Sequence, residues 1–164
     1  MEFEFIHQFS VPVPRERVWD FLWDIERMAT CFPGARDVRM VEPHARYEVV
    51  FRDRIGPLKA TFPLEINVLE VAEPEHLRIS AAGKDKSLGV TAEMLLDLTL
   101  SIGPRESTVL NLRTDVTMLG KLAMLGPNMI RRKAEDVAGQ FAATLRAALA
   151  EEASGAPPPE VRQL

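Results

Sequence analysis

The sequence has a single cysteine, Cys31, in 164 residues. A lone thiol excludes an intramolecular disulfide framework and fits a reducing compartment. The histidines are three, scattered at His7, His44 and His76. Without an HxxxH, HExxH or CxxC spacing, a zinc or iron site has no local support, so no metal is expected. No apolar run approaches the ~20 residues of a membrane span. The start, Met1–Gln8, is acidic and aromatic rather than basic and then apolar, so no secretory leader is read there. Neither charge dominates: 20 basic residues against 24 acidic ones leave a net −4, which gives no support to a nucleic-acid partner. Glycines fall as turn punctuation. The string GKLAMLG is not a phosphate loop, because its lysine follows the first glycine instead of the last. These absences describe a soluble, cytoplasmic chain with no resident cofactor.

What is present is a long amphipathic segment near the end, GKLAMLGPNMIRRKAEDVAGQFAATLRAALAEEA, from Gly120 to Ala153. Leu122, Leu125, Met129, Ile130, Val137, Phe141, Leu145 and Leu149 recur mostly at helical steps, with charged residues between them. Gly126-Pro127 interrupts it. Proline suits a first helical turn, so a short piece over Lys121–Leu125 should kink into a main helix from Pro127 to about Glu152.

Most of what precedes alternates with period two. Glu2–Val11 puts Phe3, Phe5, His7 and Phe9 on one side. Two short helices follow, Arg15 to about Asp24 and Ile25–Cys31, with Asp24 as N-cap of the second. Strands are then predicted at Asp37–Glu42, Arg46–Asp53, Leu58–Val71, His76–Ala81, Gly89–Ser101 and Thr108–Met118. Tyr47, Val49 and Phe51 share one face of the second of these. Pro63 marks a bulge or an edge position. Short turns imply antiparallel neighbours. The order β-α-α-β₆-α is α+β: a curved antiparallel sheet gripping the last helix, in one domain over residues 1–152. The Pro-rich residues 153–164 are expected to be disordered. A sheet curved round a helix leaves space where an apolar ligand can bind.

Catalytic groups are sparse. His7 on an aromatic face reads as a core histidine, and Cys31 as a small buried hydrophobe. His44 and His76 fall at turns and read as solvated. Asp20 and Asp24 are carboxylates four apart on a helix, a spacing usual for solvent-facing or capping groups. Lys84, Asp85 and Lys86 read as a solvated loop. Arg113 and Asp115 share a strand face and read as an ion pair at the sheet rim. An enzyme reading would rest on His7, Tyr47, Arg113 and Asp115.

Three strings carry a resemblance: VPVPRERVWDFLWDIERMATCFPGA (11–35), GPLKATF (56–62) and DVTMLGKLAMLGPNMI (115–130). They resemble the CoxG-like proteins, a family of accessory subunits of aerobic carbon monoxide dehydrogenase, within the START-like, SRPBCC helix-grip superfamily. The resemblance implies a non-catalytic binding or accessory protein. It also implies a molybdenum hydroxylase of the CO dehydrogenase type as partner, and a quinone- or lipid-like molecule as ligand rather than cofactor. Members proposed as membrane anchors carry a long C-terminal apolar extension. Here the sequence ends at Leu164 in a short polar tail, so at most transient contact with the inner face of the membrane is expected, through residues near Met124. Carried over by motif, the ligand site would include Phe32, Pro33 and Gly34, Leu58 and Phe62, and Leu122, Leu125, Met129 and Ile130. Tyr47, Phe51 and Met94, on inward strand faces, complete the set. The alternatives are a cyclase- or dehydratase-like enzyme of the same superfamily, and an assembly factor that acts through its surface.

Overall fold

The computed structural model describes residues 1–153, the side chains of residues 122, 123 and 153 excepted. The rest of the expected tail, and the side chain of Leu122, lie outside the described residues. In order come β1 (Glu2–Val11), α1 (Arg15–Trp23), α2 (Ile25–Ala29), β2 (Ala35–Glu42), β3 (Arg46–Ile55) and β4 (Leu58–Ala72). Then follow β5 (His76–Asp85), β6 (Val90–Ile102), β7 (Thr108–Leu119), a 3-10 turn at Lys121–Leu125, and α3 (Pro127–Ala153). All strands join one antiparallel sheet of order β1-β7-β6-β5-β4-β3-β2.

The alternation seen in the sequence is the in–out pattern of this sheet. On β1, Phe5 and Phe9 are buried while Glu4, Ile6 and Gln8 face outward. On β7, Leu110, Leu112, Thr114, Val116 and Met118 are buried. The helices close the inner face. Trp19 and Leu22 of α1 and Phe141, Leu145 and Leu149 of α3 join Leu77, Leu98, Leu110 and Leu112 of the sheet in one packed core. Asp24 accepts the Arg27 N–H at 3.3 Å and caps α2, as expected. Gly126 takes φ +88°, which a side chain would oppose, and Pro127 then opens α3.

Four local differences have physical reasons. First, α2 ends at Ala29, because the Cys31 and Phe32 N–H groups turn back to the Met28 and Ala29 carbonyls. Second, β2 starts at Ala35, where Ala35 pairs with Phe51. Third, β5 runs on to Asp85. The string AGKD has little strand propensity, yet Ala82–Asp85 pairs with Glu93–Val90 of β6. Asp85 is therefore not a solvated loop residue. It is 4% exposed, and it accepts the Thr61 N–H at 2.7 Å, the Leu88 N–H at 3.0 Å and the Ser87 hydroxyl at 2.7 Å. Burial pushes this carboxyl up, but those donors outweigh it and hold the group below the ordinary carboxylate range. Fourth, the β4 register shift lies between Val68 and Glu70 and not at Pro63. Pro63 sits one residue beyond the last β4–β5 pair, Leu64–Gly83, at a local edge where no ladder donor is missed.

The two outer strands are finished differently. On β1, Arg131 Nη1 donates to the Glu4 carbonyl at 3.0 Å and Arg146 Nε to the Ser10 carbonyl at 3.1 Å, both from α3. On β2, pairing with β3 is irregular between Arg36 and Arg39 and again between Met40 and Glu42.

Candidate functional site

An apolar cavity of about 240 Å³ lies between the sheet and the first half of α3. An apolar cavity of roughly 150 Å³ already takes a benzene-sized molecule, so the space here suits a larger one. Its walls come from every layer: Phe5 on β1, Met28 on α2, Phe51 on β3, Phe62 on β4, Val116 on β7 and Ile130 on α3. The space exists because small residues face each other across it. Ala81 and Ala92 on the sheet stand opposite Ala134 and Ala138 on the helix.

Among the described residues of the wall, three have polar side chains: Tyr47, Thr114 and Lys133. The Tyr47 hydroxyl accepts the His44 N–H at 2.8 Å. Thr114 is buried on β7. Lys133 Nζ pairs with Asp53 Oδ2 at 2.5 Å, with both side chains partly exposed at the rim. Burial pushes the Asp53 carboxyl up. The hydrogen bond from Lys133, the Arg54 N–H and the charges of Lys133 and Arg36 together outweigh that and hold it below the ordinary range.

The structure places Phe32, Tyr47, Phe51, Phe62, Met94 and Ile130 in the cavity wall. Pro33, Gly34, Leu58, Leu125 and Met129 stand outside it, for reasons of packing. Gly34 takes φ +87° and its carbonyl accepts the Arg52 N–H at 2.9 Å, so the Pro33-Gly34 turn fastens the loop after α2 to β3. A Cβ on Gly34 would come within 2.9 Å of the Arg52 carbonyl oxygen. Leu58 and Leu125 pack, partly buried, against a second core cluster around Ile55, Ala60 and Val90. Met129 lies against Gly56, where any side chain would collide with its sulfur.

The polar candidates do not assemble. His7 packs beside Phe9, ring centroids 5.8 Å apart, and is not in the wall. Arg113 bonds Glu4 at 2.8 Å across the outer face of the sheet, which Asp115 shares by alternation. His44 is exposed but stacks on Trp23 with centroids 4.2 Å apart, and His76 Nε2 meets Asp97 at 2.8 Å. Cys31 is buried, and burial pushes its thiol up to about 11, only partly offset by Arg27 and Thr30. Among the described residues no three His, Cys, Asp or Glu side chains gather as a metal site requires. No helix among them is long and apolar enough to cross a membrane.

Sequence reasoning missed Asp53 and Lys133. The signal was there: Asp53 continues the Tyr47–Val49–Phe51 alternation, and Lys133 lies three residues after Ile130 and four before Val137.

A bent antiparallel sheet gripping a long C-terminal helix, with an apolar cavity between them, defines the helix-grip class of START-like domains. Solved structures agree on the fold. A conserved protein from Geobacillus kaustophilus superposes with a TM-score of 0.78 at 22% identity, over 91% of this chain and 96% of that one. The ZhuI aromatase/cyclase from Streptomyces sp. R1128 gives 0.62 at 19% identity, over 94% of each chain. Ara h 8.0201 gives 0.65 at 12%, over 92% of this chain and 99% of that one. No curated protein matches in sequence. The family profile for CoxG, a subunit of carbon monoxide dehydrogenase, matches residues 8–150, and the chain belongs to that family. Membership and fold together support a ligand-binding accessory role at the level of the family.

Proposed function

We propose that this protein is a non-catalytic carrier that holds a hydrophobic small molecule, quinone- or lipid-like, between its sheet and α3. The observation that carries this reading is the cavity, whose wall, among the described residues, is apolar except at Tyr47, Thr114 and Lys133. Binding there rests on shape and desolvation. Removing about 200 Å² of apolar ligand surface from water contributes roughly 5 kcal/mol at 25 cal/mol per Å². The partner that family membership suggests is a molybdenum hydroxylase of the CO dehydrogenase type. The face for transient contact with the inner side of a membrane is the surface around Met124, which is 85% exposed beside Lys121.

The test is native mass spectrometry of freshly purified protein, with organic extraction of any released molecule. One quinone or neutral lipid per chain is the expected result. A clean protein mass, unchanged after incubation with quinones and neutral lipids, would overturn the carrier reading and favour action through the Met124 surface.

A further inference from the structure

Asp53 interrupts an apolar face. Tyr47, Val49, Phe51 and Ile55 of β3 all line the cavity, and Asp53 falls in step between the last two. Lys133 is the one cation among the described lining residues, and its ammonium sits on Asp53. Asp53 is also fixed from its own strand, since the Arg54 N–H donates to Oδ1 at 2.7 Å. Arg36, whose charge also acts on Asp53, is exposed to water on β2, where salt and solvent screen it. The rim therefore holds one carboxylate and one ammonium that already neutralise each other.

We infer that the Asp53–Lys133 pair makes this cavity selective for uncharged apolar molecules that bear a hydrogen-bond acceptor, such as a ketone or ester carbonyl, over the same skeleton ending in a carboxylate. The inference rests on the cavity being a binding site. An ammonium has three protons to donate. Asp53 takes one, so an incoming carbonyl can take another without disturbing the pair. An incoming carboxylate brings a second negative charge to one ammonium. Either it displaces Asp53, which loses its partner at a partly buried site, or it enters the apolar wall uncompensated. Asp53 is on this account the specificity-determining residue, although it touches the ligand only through Lys133.

The experiment is displacement of Nile red, an uncharged apolar dye, by methyl decanoate and by decanoate near neutral pH. Partitioning alone favours the ester in every variant, so the readout is how the ester-to-acid ratio changes on substitution. Asp53→Asn leaves Lys133 uncompensated, and the ratio is expected to fall by about tenfold, equivalent to ~1.4 kcal/mol. Asp53→Ser, with a differently shaped side chain, should give the same fall. Lys133→Met should keep the acid excluded. A ratio unchanged in both Asp53 variants, with thermal melts showing them folded, overturns the inference while the dye still binds. Failure of the wild-type protein to bind the dye at all overturns the carrier reading, and this inference with it.

Discussion

The two halves of α3 treat the same sheet in opposite ways. Its second half is filled. Phe141, Leu145 and Leu149 are wholly buried among Val18, Trp19 and Leu22 of α1 and the sheet. Its first half presents Ile130, Ala134 and Val137 to open space. The partition is an aromatic stack: Phe32, which lines the void, lies on Phe141 with centroids 4.2 Å apart. Phe9 meets Phe141 edge-on at 6.3 Å. One helix thus holds the fold together at one end and leaves room at the other. Packing and open space are separate along its length.

Substitutions can break or sharpen that division. Phe141→Ala should have the largest effect. It removes the partition and leaves a void in the packed half, at a cost of about 3–5 kcal/mol, read from the midpoint of urea unfolding. An unchanged midpoint would mean that the second half is not the anchor. Ala134→Phe should do the reverse. It places a ring in the void, abolishes Nile red binding, and leaves stability unchanged or raised by about 1 kcal/mol.

Asp85→Asn tests the turn between β5 and β6, where Asp85 ties Thr61 of β4 to the loop at Leu88. The expected loss is about 1 kcal/mol near neutral pH. Because the folded carboxyl titrates below its ordinary range, its contribution is complete above that range. It fades as pH falls through the depressed value, so wild type and variant should converge in acid. Last, Cys31 beside the packed half should resist iodoacetamide in the native protein near neutral pH and react once urea unfolds it, since its thiol is pushed up to about 11. Labelling of the native protein at the rate of a free thiol would show that this half opens readily.

The fold was legible because burial on a pleated sheet has period two and on a helix period 3.6. Phe3, Phe5 and Phe9, or Leu145 and Leu149, can be read without any partner in view. Ala82–Asp85 could not, because strand there is imposed by β6 and by the bonds to Asp85 rather than by local preference. The site divides in the same manner. Tyr47, Phe51 and Met94 were readable as inward residues of strands. The family strings pointed in part elsewhere: Gly34 seats on Arg52, and Gly56 makes room for Met129. Those strings mark joints that set where α3 and the loop after α2 stand relative to β3. The space itself is written in alanines, Ala81, Ala92, Ala134 and Ala138, whose significance appears only when the sheet and helix face each other. Asp53 and Lys133 were each in step with an apolar face, but their pairing spans 80 positions of sequence.

The treatment of the outer strands bears on how the protein behaves in a crowd. A sheet of seven strands that never closes has two free margins, each a template on which another chain could lay a strand. On one margin, guanidinium groups already occupy carbonyls at Glu4 and Ser10. On the other, the irregular course of β2 breaks the even spacing that an incoming strand would need. A molecule with an apolar hollow and an exposed methionine, Met124, is thereby denied the easiest route to fibrils.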